Sequence, residues 1–348
     1  MKDSVTKIIY ILITALIFSI ALFLIANRNP QTISQVLLRV TPTSKDTIAT
    51  PFMIDSLRKR SYEGGKIVVE NKAYETNTFT AYVVSYPSDG LKLFALLSVP
   101  KQKDKTFPIL IMNHGYIPPD QYSSIYAYKN PFDFFASNGF IVLKPDYRAN
   151  GSSEGDKKDP LNRLSYPIDV LNLISSLPTL SSLPILSSSP PLRPISQSSP
   201  PHLFIWSHSM GGDITLKILE VAGNKVKAAS LWAPVAIDYP ESMLFFLRLQ
   251  NSPNYEIVKN LTRTLLSGDE FKKLSPTQNL HYIQSKIILH HGTADDLVPY
   301  KWGADLDKKL SEQKIPHVFY SYKGEDHNFG RGAHQTVLNR DLEFFRSN

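Results

Sequence analysis

Residues 204–212 read FIWSHSMGG, an apolar run that ends on Ser207, His208, Ser209, Met210, Gly211 and Gly212. A strand buried on both faces keeps bulky side chains to its end, so this passage into small residues needs a reason. A sharp strand-to-helix turn supplies one. It exposes a serine at a helix N-terminus, where backbone N–H groups face an anion, and it needs small residues two before and two after. The usual pattern is G-x-S-x-G. Gly211 fills the second small position and Ser207 the first, a departure by one residue, so the turn is expected to form with some strain. HLFIW at 202–206 leads in as a strand, and ITLKILEVAG at 214–223 follows as a helix.

A serine hydroxyl is a poor nucleophile until a base takes its proton, and a histidine base must be oriented by a carboxylate. Of nine histidines, His327 stands out, in the loop YKGEDHNFG between a strand and the final helix. His202, His281, His317 and His334 have no such setting. In HHGTADDLVP, 290–299, a strand ends and places Asp295 or Asp296 at the carboxyl edge of the sheet, where α/β proteins assemble sites. The bland alternative is an aspartate capping the next helix. Asp326 adjoins His327 and is badly placed to orient it. Serine, aspartate and histidine then fall in the chain order of nucleophile-elbow hydrolases. MNHGY at 112–116 follows a buried strand, and its glycine permits close approach to a substrate. The N–H groups of Tyr116 and Met210 are the expected oxyanion donors.

The rest of the chain fits a sheet covered on both faces by helices. Strands are expected at 66–70, 79–86, 92–99, 108–114, 140–146, 226–234, 285–292 and 317–322, with helices at 132–138, 167–177, 300–313 and roughly 331–346. Serine and proline dominate 178–201, a composition that packs poorly and reads as a surface insertion. Two helical patterns within 235–284 interrupt the strand–helix rhythm and read as a small cap. Its apolar residues Met243, Leu244, Phe245, Phe246 and Leu249 suit packing on the body better than lining a pocket.

Bulk composition excludes several classes. With 38 basic against 31 acidic residues the net charge is +7, but the basic residues are scattered, so no nucleic-acid partner is expected. The absence of cysteine rules out disulfides, thiolate metal sites and a cysteine nucleophile. Residues 8–26, IIYILITALIFSIALFLIA, carry no charge and are long enough to cross a bilayer. The run exceeds a signal-peptide core and ends without an A-x-A-like site. We therefore expect residues 1–27 to be an N-terminal membrane anchor, an uncleaved transmembrane helix with the body on the extracytoplasmic side. Residues 28–60 form a tether and lead-in, and 61–348 the catalytic domain.

On these residues the chain resembles the α/β-hydrolases, and more narrowly the catalytic domain of the prolyl oligopeptidase (S9) family and its esterase-like relatives. SDGLKLFALLSVPK at 88–101 is similar to that family's first hairpin. KPDYRANGSSEGD at 144–156 resembles its D-Y-R-G-x-G-x-S-x-G loop, with Ala149 for one glycine. WSHSMGG resembles W-G-H-S-M-G-G, HGTADDLVP resembles H-G-x-x-D-x-x-V-P, and GEDHNF carries the histidine. The resemblance implies an α/β-hydrolase fold and assigns the acid to Asp295 over Asp296. It also places Tyr116 and Met210 at the oxyanion positions. Ser209, Asp295 and His327 would act through an acyl-enzyme, with no metal or organic cofactor. A serine-type peptidase acting on small peptides is the leading expectation. A carboxylesterase with the same triad, or a non-catalytic anchored binding protein, are the rivals. Family peptidases carry a β-propeller ahead of this domain. Residues 27–60 are too few for one, so dipeptidyl peptidase action is not expected.

Overall fold

Alternation decides which side chains reach which face. In Leu110-Ile111-Met112 and Phe204-Ile205-Trp206 successive residues point to opposite sides, and both sides are buried. Such two-sided burial needs helices on both faces. A computed structural model describes residues 49–102, 107–157, 159, 162–183, 185, 202–249 and 255–348. Its nine strands are β1 (Val68–Glu75), β2 (Phe79–Ser88), β3 (Leu91–Pro100), β4 (Ile109–Asn113), β5 (Ile141–Pro145), β6 (Leu203–His208), β7 (Ala228–Trp232), β8 (Lys286–Gly292) and β9 (His317–Tyr322). They form one sheet in the order β1-β2-β3-β5-β4-β6-β7-β8-β9. The first three pair antiparallel and β3 joins β5 antiparallel; the pairs from β5 to β9 are parallel.

The helices are α1 (Ile54–Lys59), α2 (Lys129–Ser137), α3 (Asn162–Ser176), α4 (Met210–Ala222), α5 (Glu241–Leu249), α6 (Tyr255–Leu265), α7 (Gly268–Leu274), α8 (Tyr300–Glu312) and α9 (His334–Arg346). One face of the sheet packs Ile111, Ile205 and Leu289 with Val170 of α3, Leu216 of α4 and Leu306 of α8. The other packs Leu110, Met112 and Phe204 with Phe135 of α2 and Phe345 of α9. The mostly parallel, doubly covered sheet fits the α/β-hydrolase fold expected from the sequence.

Three boundaries differ from the sequence reading. Residues 49–60 are part of the body, because α1 buries Ile54 and Leu57 against Ile168. The start of the expected insertion also packs. Residues 177–182 make a 3₁₀ turn, Leu180 and Leu183 enter the core, and Thr179 Oγ1 accepts the Ile67 N–H at 3.0 Å. Helix α3 begins five residues before Pro167, with that proline inside it. Residues 235–284 are largely helical as expected. Phe245 and Phe246 pack edge-on against Trp302 of α8, with ring centroids 4.8 and 6.3 Å away, so this face of α5 serves packing. The expected membrane anchor at 1–27 lies outside the described residues. Among the described residues, no helix is long and apolar enough to cross a membrane.

Candidate active site

β6 runs into α4 with one residue between them, and that residue absorbs the whole change of direction. Ser209 has φ 57° and ψ −121°, a conformation that costs a non-glycine residue about 1–3 kcal/mol. Three backbone hydrogen bonds hold it. Its N–H donates to Trp232 O, and its carbonyl accepts the N–H groups of Gly212 and Val235, all at 2.9 Å. A Cβ on Gly211 would lie 2.1 Å from Asn113 O, which is why the second small position takes glycine. Ser207 carries none of the expected strain. It lies in regular β6, buried, and its Oγ donates to Ser230 O at 3.1 Å. The serine therefore adds a bond where glycine would add none, and the strain sits on Ser209 itself.

β8 ends at Gly292, and the turn beyond it presents Asp295. Oδ1 accepts the N–H groups of Leu297 at 2.9 Å and Val298 at 2.8 Å. Oδ2 accepts His327 Nδ1–H at 2.8 Å and His291 Nε2–H at 3.1 Å. The structure thus brings Asp295 to His327 and leaves Asp296 exposed. Asp295 is not the cap of α8, whose N-cap residue is Pro299. Burial acts to raise the Asp295 pKa, but the bonds from His291 and His327 outweigh it and hold the carboxyl well below the usual range. His291 carries its proton on Nε2, since that atom also faces Val298 O at 3.0 Å. The sequence reading assigned it no role. Its signal was the doubled histidine, which puts one ring on each face of β8.

The serine elbow and the histidine loop meet directly. His208 Nε2 lies 3.0 Å from His327 O, and the two imidazoles are 4.5 Å apart. The Ser209 hydroxyl itself makes no hydrogen bond among the described residues. The 112–116 loop closes on the same spot, for a Cβ on Gly115 would lie 2.9 Å from Ser209 Cβ. Tyr116 follows, 64% exposed, and Met210 is the first residue of α4.

Behind this loop His114 is stacked between Tyr122 and Tyr147, with centroids 4.5 and 4.4 Å away. It bonds Gly115 O through Nδ1 at 2.7 Å. Burial, with the Lys144 charge, pushes its pKa down to about 3, so it is a neutral prop for the loop. Lys144 and Asp146 share the Tyr122 hydroxyl at 3.1 and 2.9 Å. Beyond them Arg148 grips the buried Asp169 through Nε and Nη2. Ala149, in a glycine's place, takes φ 64°. Among the described residues, no group of three or more His, Asp or Glu is gathered as a metal site.

Residues 196–348 match the prolyl oligopeptidase family. Dipeptidyl peptidase 4 of Felis catus is 28% identical over 148 residues, 41% of this chain and 18% of that protein. The chain therefore spans under a fifth of that curated relative. Acylaminoacyl peptidase of Pyrococcus horikoshii superposes with a TM-score of 0.59 at 18% identity, covering 78% of this chain and 42% of that one. Acetyl xylan esterase 1 from Thermoanaerobacterium sp. JW/SL YS485 superposes with a TM-score of 0.57 at 17% identity, covering 89% and 98%. Peptidases and an esterase thus share this fold. The fold is that of the α/β-hydrolases, and residues 196–348 are similar to the prolyl oligopeptidase family.

Proposed function

We propose that the chain is a serine hydrolase working through an acyl-enzyme, with Ser209 as nucleophile, His327 as base and Asp295 as orienting acid. The observation that carries this is the 2.8 Å bond between Asp295 Oδ2 and His327 Nδ1, at the sheet edge where the strained Ser209 stands. Asp295 fixes the proton of His327 on Nδ1 and leaves Nε2 bare to accept the serine proton. His327 then returns that proton to the leaving group, and water repeats the cycle on the acyl-enzyme. The N–H groups of Tyr116 and Met210 face the developing oxyanion; losing one such donor typically costs roughly 10²–10³ in rate.

The match to prolyl oligopeptidases over the segment holding all three residues favours a peptidase acting on small peptides. The near full-length superposition on an esterase favours a carboxylesterase as the second reading. One experiment separates them. The full chain is given two substrates that share one acyl group, a p-nitrophenyl ester and a peptide p-nitroanilide, with Ser209→Ala as blank. Comparable turnover of the anilide supports the peptidase. Ester turnover alone supports the esterase, and turnover unaffected by Ser209→Ala refutes both. The uncharged run 8–26 supports tethering to a membrane. Extraction of the chain by alkaline carbonate would count against that.

A further inference from the structure

Tyr128 sits at the N-cap of α2 with φ 56°, half-buried, and its hydroxyl has two partners from distant parts of the chain. It receives the Gly115 N–H at 2.9 Å and meets His208 Nδ1 at 2.7 Å. The opposite nitrogen of that imidazole, Nε2, lies 3.0 Å from His327 O. A carbonyl only accepts, so Nε2 carries the proton and Nδ1 of the neutral ring is a bare acceptor. The Tyr128 O–H must then donate to Nδ1, and its oxygen accepts from Gly115. Burial, followed by the nearby His327, pushes the His208 pKa down to about 3, which agrees with a neutral ring. Every donor in this chain has one direction available. It runs from the Gly115 N–H through the Tyr128 hydroxyl and the His208 imidazole to the His327 carbonyl.

Gly115 adjoins the expected oxyanion donor Tyr116, and His327 is the expected base. The chain therefore spans from the loop that would hold the substrate oxygen to the loop that would move its proton, passing through the residue before Ser209. Tyr128 itself is wedged in place. Its ring stands edge-on to Trp206 at 5.9 Å, and its hydroxyl lies 2.6 Å from where a Gly115 Cβ would be, so no side chain fits at 115.

We propose that Tyr128 and His208 are positioning residues, a hydrogen-bonded clamp that sets the spacing of the 112–116 loop and the His327 loop around Ser209. The clamp rests on the serine-hydrolase reading above. Neither residue touches the reacting atoms; both act through the groups they hold.

The full chain and its Tyr128→Phe, His208→Leu and His208→Gln variants are assayed on the p-nitrophenyl ester, and their unfolding midpoints are recorded. Displacing reacting groups by an ångström costs on the order of 10²-fold in rate, so Tyr128→Phe and His208→Leu are expected to lower kcat by about 10–100-fold. KM should stay within about threefold, because the loss falls on the transition state and not on binding. Glutamine keeps one acceptor and one donor at nearly the spacing of the imidazole nitrogens. His208→Gln is therefore expected to recover most of the kcat that His208→Leu loses, whatever the midpoints do. A Tyr128→Phe enzyme with near-parental kcat, or a His208→Gln enzyme as slow as His208→Leu, overturns the clamp. Should Tyr128→Phe fail to fold, the His208 pair decides alone. Ser209→Ala distinguishes the two levels. An inactive Ser209→Ala beside a fast Tyr128→Phe sinks the clamp only, whereas an active Ser209→Ala sinks the nucleophile reading and the clamp with it.

Discussion

Replacing Asp295 by asparagine keeps the volume of the side chain but removes one acceptor oxygen, so the hydrogen bonds around it must be reassigned. All four groups bonded to the carboxylate are donors. Two are the backbone N–H groups of Leu297 and Val298 on Oδ1. The other two are His327 Nδ1–H and His291 Nε2–H on Oδ2. An amide offers a single oxygen. If that oxygen stays with the backbone, the NH₂ group opposes the His291 proton, which Val298 O holds in place. His327 can meet the NH₂ only by baring Nδ1 and carrying its proton on Nε2, the nitrogen that must take the serine proton. If the amide turns round, the NH₂ opposes two backbone N–H groups. The expected loss is roughly 10⁴ in kcat, as for a wrong tautomer in other serine hydrolases, with little change in KM. Two charge-assisted hydrogen bonds from histidines are also lost, at about 2–5 kcal/mol of stability. The assay is kcat and KM on the p-nitrophenyl ester, with unfolding in urea alongside and the exposed neighbour variant Asp296→Asn as comparison. An Asp295→Asn enzyme retaining more than about a tenth of parental kcat would refute the tautomer argument. So would an Asp296→Asn enzyme that is the slower of the two.

Three further outcomes are expected. Gly115→Ala puts a methyl 2.6 Å from the Tyr128 hydroxyl and 2.9 Å from Ser209 Cβ, so the loop must retreat. A kcat lower by about 10–100-fold is expected, with about 1–3 kcal/mol lost to overpacking, and an unchanged kcat would show that the loop yields freely. Asp341→Ala strips the acceptor from three buried donors, Ser230 Oγ at 2.7 Å, Trp232 Nε1 at 2.6 Å and His290 Nε2 at 2.9 Å. At about 1–3 kcal/mol each, urea unfolding should show at least about 3 kcal/mol lost, and a loss under about 1 kcal/mol would contradict that cost per donor. The third concerns acid. Between the ordinary histidine value and about 3, His208 is neutral when folded and protonated when unfolded. The unfolded state binds the extra proton, so stability falls as pH falls, by up to about 1.4 kcal/mol per pH unit. Asp146, Asp169 and Glu220, all pushed up by burial, act in the opposite sense. The quantity to measure is therefore the difference between parent and His208→Gln, and parallel pH profiles would refute it.

Distance along the chain separates the features that were legible in the sequence from those that were not. β9 and α8 were legible because their signals are local, a β-rich run between breakers and an amphipathic stretch before a loop. β1 was placed at 66–70 but runs Val68–Glu75. Its later half, Asn71 to Glu75, is polar because it is a largely exposed edge strand with two bulges, so no alternation marks it. Pro167 suggested the first turn of α3, where a missing N–H costs nothing. The helix starts earlier because Asn162 is itself buried, its side chain tied to Asp156 O at 2.7 Å. At the site, Ser209, Asp295 and His327 each sit in a short motif that can be read in isolation. Tyr128 does not. Its partner His208 is 80 residues away, nothing in SSIYAYKNP distinguishes it from a surface tyrosine, and only the fold gives it a role. The sign of the Ser207 substitution was also hidden, since the acceptor that makes it benign belongs to β7.

His290 and His291 are neighbours in β8 that serve opposite faces of the sheet. His290 is bonded to Asp341 of α9, and His291 to Asp295 in the turn beyond β8. A slip of β8 by one residue would bring Leu289 opposite Asp341 or Gly292 opposite Asp295, so the two rings together act as a parity check on the strand. Deletion or insertion of a single residue within 286–289 that shifted the strand would therefore leave one of the two carboxylates without its histidine, and no repacking on the other face could restore it. The 3₁₀ turns at Pro276–Gln278 and Leu280–Tyr282 precede that frame and are free of the constraint. Chain length can drift there over evolution or in design while the strand downstream keeps count.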